Sequence, residues 1–178
     1  MREHAVVCAG SGGQGILLMG QTLAYAAMLE NKGVTWFPAY GPEVRGGRTA
    51  CTVVVADDQV GSPVVAHPHA LIALDPVSIT EFVESLQPGG LLALNSSLIE
   101  GRGPREDLEV IAIPAQAIAE QIGNVRAANM VMLGAYVKRT GVVRLEVLPE
   151  ALKRSLPERH HQLIPINLAA IQAGAQRA

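Results

Sequence analysis

Short apolar runs, each cut off by glycine, proline or an acid, alternate along this chain with stretches whose apolar positions recur at helical spacing. The first run, His4 to Ala9, ends in a glycine-dense turn. It passes straight into residues 14–30, where Ile16, Leu17, Met19, Leu23, Ala24, Ala27 and Met28 predict a helix. Asn31, Lys32 and Gly33 predict its end, with Gly33 as a left-handed C-cap and Lys32 at the negative dipole end. Residues 34–37 are β-branched and aromatic, a second strand that Pro38 should stop. Residues 49–56 predict a third strand. No crossover helix fits between Ala56 and Leu71, so an antiparallel addition of two or three strands is expected there.

From Leu71 the pattern settles into strand and helix in turn. Residues 71–74 and 91–94 predict continuous apolar strands, with a helix over 77–86 between them that has Pro76 near its first turn. A polar linker leads to a sixth strand over 109–113. The remainder reads as helix over 115–122, 127–139, 148–156 and 157–175, the last broken or bent at Pro165. The expected fold is α/β: three layers, a Rossmann-like, mostly parallel sheet with helices on both faces and a short antiparallel addition. No repeat or second core divides residues 1–178, so one domain is expected.

Composition narrows this further. At 178 residues, 49% apolar and 17% charged, the chain can bury a full core. A net charge of −2 gives no reason to expect nucleic acid or a membrane surface as partner. No apolar stretch reaches the ~20 residues of a membrane span. Residues 1–4 lack the segments of a signal peptide, so a cytoplasmic location is expected. Cys8 and Cys51 read as small buried thiols filling core space: two cysteines cannot supply the four ligands of an iron–sulfur cluster.

The candidate chemistry lies in two loops. Gly10, Ser11, Gly12, Gly13, Gln14 and Gly15 match G-x-G-x-x-G at a strand-to-helix turn, a cradle for anions. The dinucleotide version also needs an acid at the end of the second strand. Residues 33–37 contain none, which disfavours NAD. No Gly-Lys-Ser/Thr comes after the glycines, so this is not a P-loop, and Ser11 lacks the G-x-S-x-G setting of a nucleophile. The second loop holds Tyr40, Gly41, Glu43, Arg45, Gly46, Gly47 and Arg48. Its guanidinium groups could grip phosphate or a partner's carboxylate, or stand as solvated charges on a turn. Its place after the second strand sets it beside the first loop. His67 and His69 flank a proline with no third ligand in view, and His160 and His161 point about 100° apart on a helix. Asp75 and Asn95 end strands and either touch a ligand or cap the next element, whereas Asn129 needs a buried partner or an interface.

Four blocks in this order carry a resemblance: Gly10-Ser-Gly-Gly-Gln-Gly15, Tyr40-Gly-Pro-Glu-Val-Arg-Gly-Gly47, Leu71-Ile-Ala-Leu-Asp75 and Asn129-Met-Val-Met-Leu-Gly134. The chain resembles the gamma subunit of 2-oxoacid:ferredoxin (acceptor) oxidoreductases, most closely the 2-oxoglutarate:ferredoxin type. His69 stands where that pattern leads one to expect an acid. The resemblance implies oxidative decarboxylation of a 2-oxoacid with coenzyme A (CoA), giving acyl-CoA, CO2 and reduced ferredoxin. Thiamine diphosphate and iron–sulfur clusters would sit on the alpha, beta and ferredoxin-like (delta) subunits, with ferredoxin as acceptor. This chain would contribute assembly and part of a CoA site at Gly10–Gly15 and Tyr40–Gly47, without a catalytic residue of its own. Alone, it would self-associate as a homodimer. A stand-alone nucleotide- or CoA-binding module, or the gamma-type subunit of a pyruvate, branched-chain oxoacid or indolepyruvate enzyme, are the alternatives.

Overall fold

A computed structural model describes residues 3–40 and 47–178. The elements are β1 (Glu3–Ser11), α1 (Ile16–Leu29), β2 (Gly33–Tyr40), β3 (Arg48–Ala56), β4 (Ala70–Ala73), α2 (Pro76–Phe82), β5 (Leu91–Asn95), β6 (Glu109–Ile113), α3 (Ala115–Ile122), α4 (Ala128–Thr140), α5 (Leu148–Ser155) and α6 (Ile164–Ala175). The six strands form one sheet in the order β2-β3-β1-β4-β5-β6. Along β1, β4, β5 and β6 the pairing is parallel, while β3 runs antiparallel to both β1 and β2. The α/β class and the antiparallel addition agree with the sequence pattern. Every residue of β4 and β5 is buried, which is why these strands read as unbroken apolar runs.

Two local expectations need correction and a third is sharpened. Pro38 does not end β2, which continues to Tyr40 with Pro38 opposite Cys51. Among the described residues β2 is the sheet edge, paired only with β3, and an edge strand tolerates a residue without an N–H. The left-handed residue after α1 is Asn31 (φ 58°), not Gly33, which begins β2. Finally, the last helical stretch is broken at Pro165, as expected, and not bent. A 3-10 segment over Glu158–Leu163 precedes α6, and Pro165 sits in the first turn of α6, where its missing N–H costs nothing.

Alternation along the strands divides the core in two. Val6 and Cys8 of β1 join the α1 side together with residues of α3 to α6. Val7 and Ala9 join Leu71, Ala73, Leu92 and Leu94 on the other side, where Ile79 of α2 and Val83 pack. α4 lies directly on α6. A Cβ on Gly134 would stand 1.9 Å from the Ile171 carbonyl oxygen, and one on Gly174 just as close to that of Val131. Fully buried Met19, Leu23, Met130 and Met132 each contribute about 2 kcal/mol by leaving water. The ends of β1 and β4 are therefore carried on a rigid frame. No helix among the described residues is long and apolar enough to cross a membrane.

Candidate functional site

The turn after β1 is held mainly by its own groups. Gln14 folds back so that its Oε1 accepts from the Ser11 amide at 2.7 Å, while the Gln14 amide donates to the Ser11 carbonyl. The Gly12 amide donates to the Gly47 carbonyl at 2.8 Å, joining the first loop to the start of β3. Gly15 takes a left-handed conformation (φ 75°) at the entry to α1, and a Cβ there would collide with Asn129. Asn129 Nδ2 donates to the Gly15 carbonyl at 2.9 Å, and its Oδ1 accepts from Met130 N–H. This resolves the buried polar group on α4: Asn129 fastens the turn to the helical layer.

Asp75 is the hub on the opposite side. Its Oδ1 accepts from the Ser78 amide at 2.9 Å and the Ser78 hydroxyl at 2.8 Å, capping α2. Its Oδ2 accepts from the Ser11 hydroxyl at 2.6 Å, tying the glycine turn to α2. Partial burial pushes this carboxyl upward. Hydrogen bonds from Ser11 and Ser78, with the charge of Arg48, outweigh it and hold Asp75 below the usual carboxylate range. Asn95 has a purely supporting part: it donates to the Leu74 carbonyl and accepts from Ser97 and from Ala115 at the start of α3.

Between the β2–β3 extension and α2 lies a cleft of about 450 Å³. Gly10, Ser11 and Ala9 form one wall, Gly47, Arg48 and Ala50 another, and Asp75, Ser78, Glu81 and Phe82 a third. Arg48 bonds Glu81 across it at 3.0 Å, with 64% of the arginine side chain exposed. Among the described residues the cleft thus combines apolar surface, one guanidinium and two carboxylates, both of which already have partners. It lies where the carboxyl ends of β1 and β4 meet, and β1 is the strand flanked by an antiparallel neighbour on one side and a parallel one on the other.

Of the residues singled out from sequence, Gly10, Ser11 and Gly47 line this cleft. Gln14 and Gly15 instead face the turn itself and α4. Tyr40 ends β2, while Gly41, Glu43, Arg45 and Gly46 lie outside the described residues. Sequence reasoning overlooked Ser78, Glu81 and Phe82. The signal was there: a capping Asp-Pro with residues three, six and seven positions beyond the cap predicts one face of a short helix over the strand end. The two histidines each make other contacts. His69 Nδ1 accepts from the Ala5 amide at 3.1 Å and its ring stacks on His4, while His67 donates to the Ser85 carbonyl. Among the described residues no three His, Cys, Asp or Glu side chains gather as metal ligands. Cys8 and Cys51 are both buried in the core, as small thiols filling core space.

These features define an open α/β domain with a cleft at its strand ends. Residues 5–177 match the model of one protein family, described as pyruvate ferredoxin/flavodoxin oxidoreductase. The chain is 40% identical over 178 residues to ketoisovalerate oxidoreductase subunit VorA of Methanothermobacter thermautotrophicus, covering 99% of this chain but 36% of that one. It is 33% identical over 175 residues to 2-oxoglutarate synthase subunit KorC of Methanothermobacter marburgensis, covering 94% of this chain and 92% of that one. Among solved structures, the gamma subunit of a keto/oxoacid ferredoxin oxidoreductase from Geobacter sulfurreducens superposes with a TM-score of 0.84 at 30% identity, over 98% of each chain. The chain belongs to the pyruvate ferredoxin/flavodoxin oxidoreductase family. It spans about a third of the length of VorA and nearly all of KorC.

Proposed function

We propose that this chain is the gamma-type subunit of a multi-subunit 2-oxoacid:ferredoxin oxidoreductase and supplies part of its CoA site. The complex would oxidatively decarboxylate a 2-oxoacid, join the acyl group to CoA and pass two electrons to ferredoxin. Thiamine diphosphate and the iron–sulfur clusters would be held by alpha, beta and ferredoxin-like subunits. The KorC relatives are named for 2-oxoglutarate and the VorA relatives for ketoisovalerate, and the proposed substrate is a 2-oxoacid of that range.

The observation that carries the ligand half is the cleft walled by Gly10, Ser11, Gly47 and Arg48. Bare backbone lets an anion approach closely, and Arg48 stands at the mouth with most of its side chain in solvent. Phe82 and Ala50 supply apolar surface for an uncharged portion of the same ligand. The test is a CoA titration of the reconstituted complex carrying either the native chain or Arg48→Gln. The variant is expected to raise the half-saturating CoA concentration about tenfold, the value of one charge-assisted contact, with turnover at saturation retained. An unchanged saturation curve in an intact complex removes CoA from this cleft.

A further inference from the structure

Cys8 and Cys51 are direct partners in the antiparallel ladder between β1 and β3. Both side chains lie on the α1 side of the sheet, in the same core cluster. Directly opposed residues in such a ladder have Cα atoms about 4.5–5.5 Å apart, inside the window of about 4.4–6.8 Å that a disulfide spans. We propose that Cys8 and Cys51 form a reversible intramolecular disulfide, a redox modification site that reports to the first turn of α1.

The link to α1 is the Cys51 thiol itself. It donates to the Ile16 carbonyl at 3.7 Å, and Ile16 is the first residue of α1, immediately after Gly15. On its other side the sulfur fills the space that a Cβ on Gly20 would occupy, 2.4 Å away. Glycine at 20 therefore lets helix and sulfur meet. Oxidation removes one proton and one electron from each thiol and joins the sulfurs. A diazene or a small disulfide is the oxidant, taking up both electrons and both protons as a hydrazine or as two thiols. The Ile16 carbonyl then loses its thiol donor, and β1 and β3 become covalently joined one residue from Ala9 and Ala50 of the cleft wall. Both thiols are almost fully buried, so the rate is set by local opening of α1 from the sheet.

The experiment exposes the folded, reduced full chain to diamide, caps remaining thiols with N-ethylmaleimide under denaturing conditions, and digests with trypsin without reductant. The expected product is a single linked pair, peptides 3–32 and 49–102, in a chain lighter by two hydrogen atoms and restored by dithiothreitol. Cys8→Ser and Cys51→Ser each abolish the pair. Hydrogen exchange in residues 16–20 is expected to quicken in the oxidised chain. Recovery of both cysteines as maleimide adducts, or linkage between two chains, overturns the disulfide. Identical exchange in residues 16–20 before and after oxidation overturns its link to the turn.

Discussion

The two faces of the sheet are built to different standards. On one, α1 and α3 to α6 cover the strands with a continuous core around Tyr136, Met130 and Met132. On the other, α2 with the turn after it and the segment around Ile99 and Leu108 covers β4, β5 and part of β1. Phe37 of β2 stays 52% exposed and the cleft opens beside Ala39 and Ala50. The covered face is held mainly by shape, while the open one adds to a smaller apolar core the hydrogen bonds of Ser11, Asp75 and Ser78. Substitutions should therefore cost most stability on the first face, whereas those on the second test the proposed ligand site.

The largest effect belongs to the covered face. Gly134→Ala puts a methyl group into the backbone of α6 at a distance no side-chain rearrangement relieves. The expected loss is at least about 3 kcal/mol, a fall in melting temperature of roughly 6–12 °C. Calorimetry of the purified chain checks it. A loss below about 1 kcal/mol would mean that α4 and α6 slide apart easily and that shape does not hold the covered face.

His4 comes second. It lies at the start of β1, stacked on His69 at 5.1 Å and tilted against Tyr136 of α4 at 6.1 Å. Burial, and then the nearby His69, lower its pKa from 6.5 to about 4. Between those values the unfolded chain binds more protons than the folded one, so stability falls as pH drops from 6.5 to about 4 and then levels. After allowing for partial exposure the loss is on the order of 2 kcal/mol. His4→Phe keeps the stacked ring and should flatten that part of the urea-midpoint profile. An unchanged pH slope in the variant would move the titration to another group.

Asp75→Ala is expected to cost about 1–2 kcal/mol, because it removes the α2 cap and leaves the Ser11 hydroxyl without its acceptor. The folded pKa of Asp75 is depressed, so its contribution is present above the ordinary carboxylate value of 3.8 and fades as pH falls below it. Asp75→Asn should keep the cap and lose that acid dependence. Equal melting of both variants across pH would show that the bridge from the turn to α2 carries no weight.

Much of the fold was legible in the residues alone. Parallel strands buried on both sides read as unbroken apolar runs, which marked β4 and β5, and the short span between Ala56 and Leu71 excluded a crossover. What could not be read was pairing between distant residues. Asn129 is an oddity on its own helix until the carbonyl of Gly15, 114 residues earlier, stands beside it. The glycine turn is legible as a motif, but which groups already occupy its amides is not. Gln14 and the Gly47 carbonyl take two of them, and so move the open surface toward Arg48. Edge position overrode the local rule that proline ends a strand.

The smallest effect on stability tests the open face most sharply. Arg48 and Glu81 are a largely solvated pair, so breaking it should change stability by less than about 1 kcal/mol. In the proposed CoA site the same pair would oppose ligand binding, since an incoming phosphate would have to compete with Glu81 for the guanidinium. Glu81→Gln frees Arg48 and removes a negative charge from the wall. It is therefore expected to lower the half-saturating CoA concentration of the assembled complex severalfold, opposite in sign to Arg48→Gln and with melting unchanged. Added salt should shrink the difference between Glu81→Gln and the native chain, because screening weakens both the pair and its competitor. If both substitutions weaken CoA equally, the ion pair is a structural strut of the cleft wall and the anion is held elsewhere on the turn.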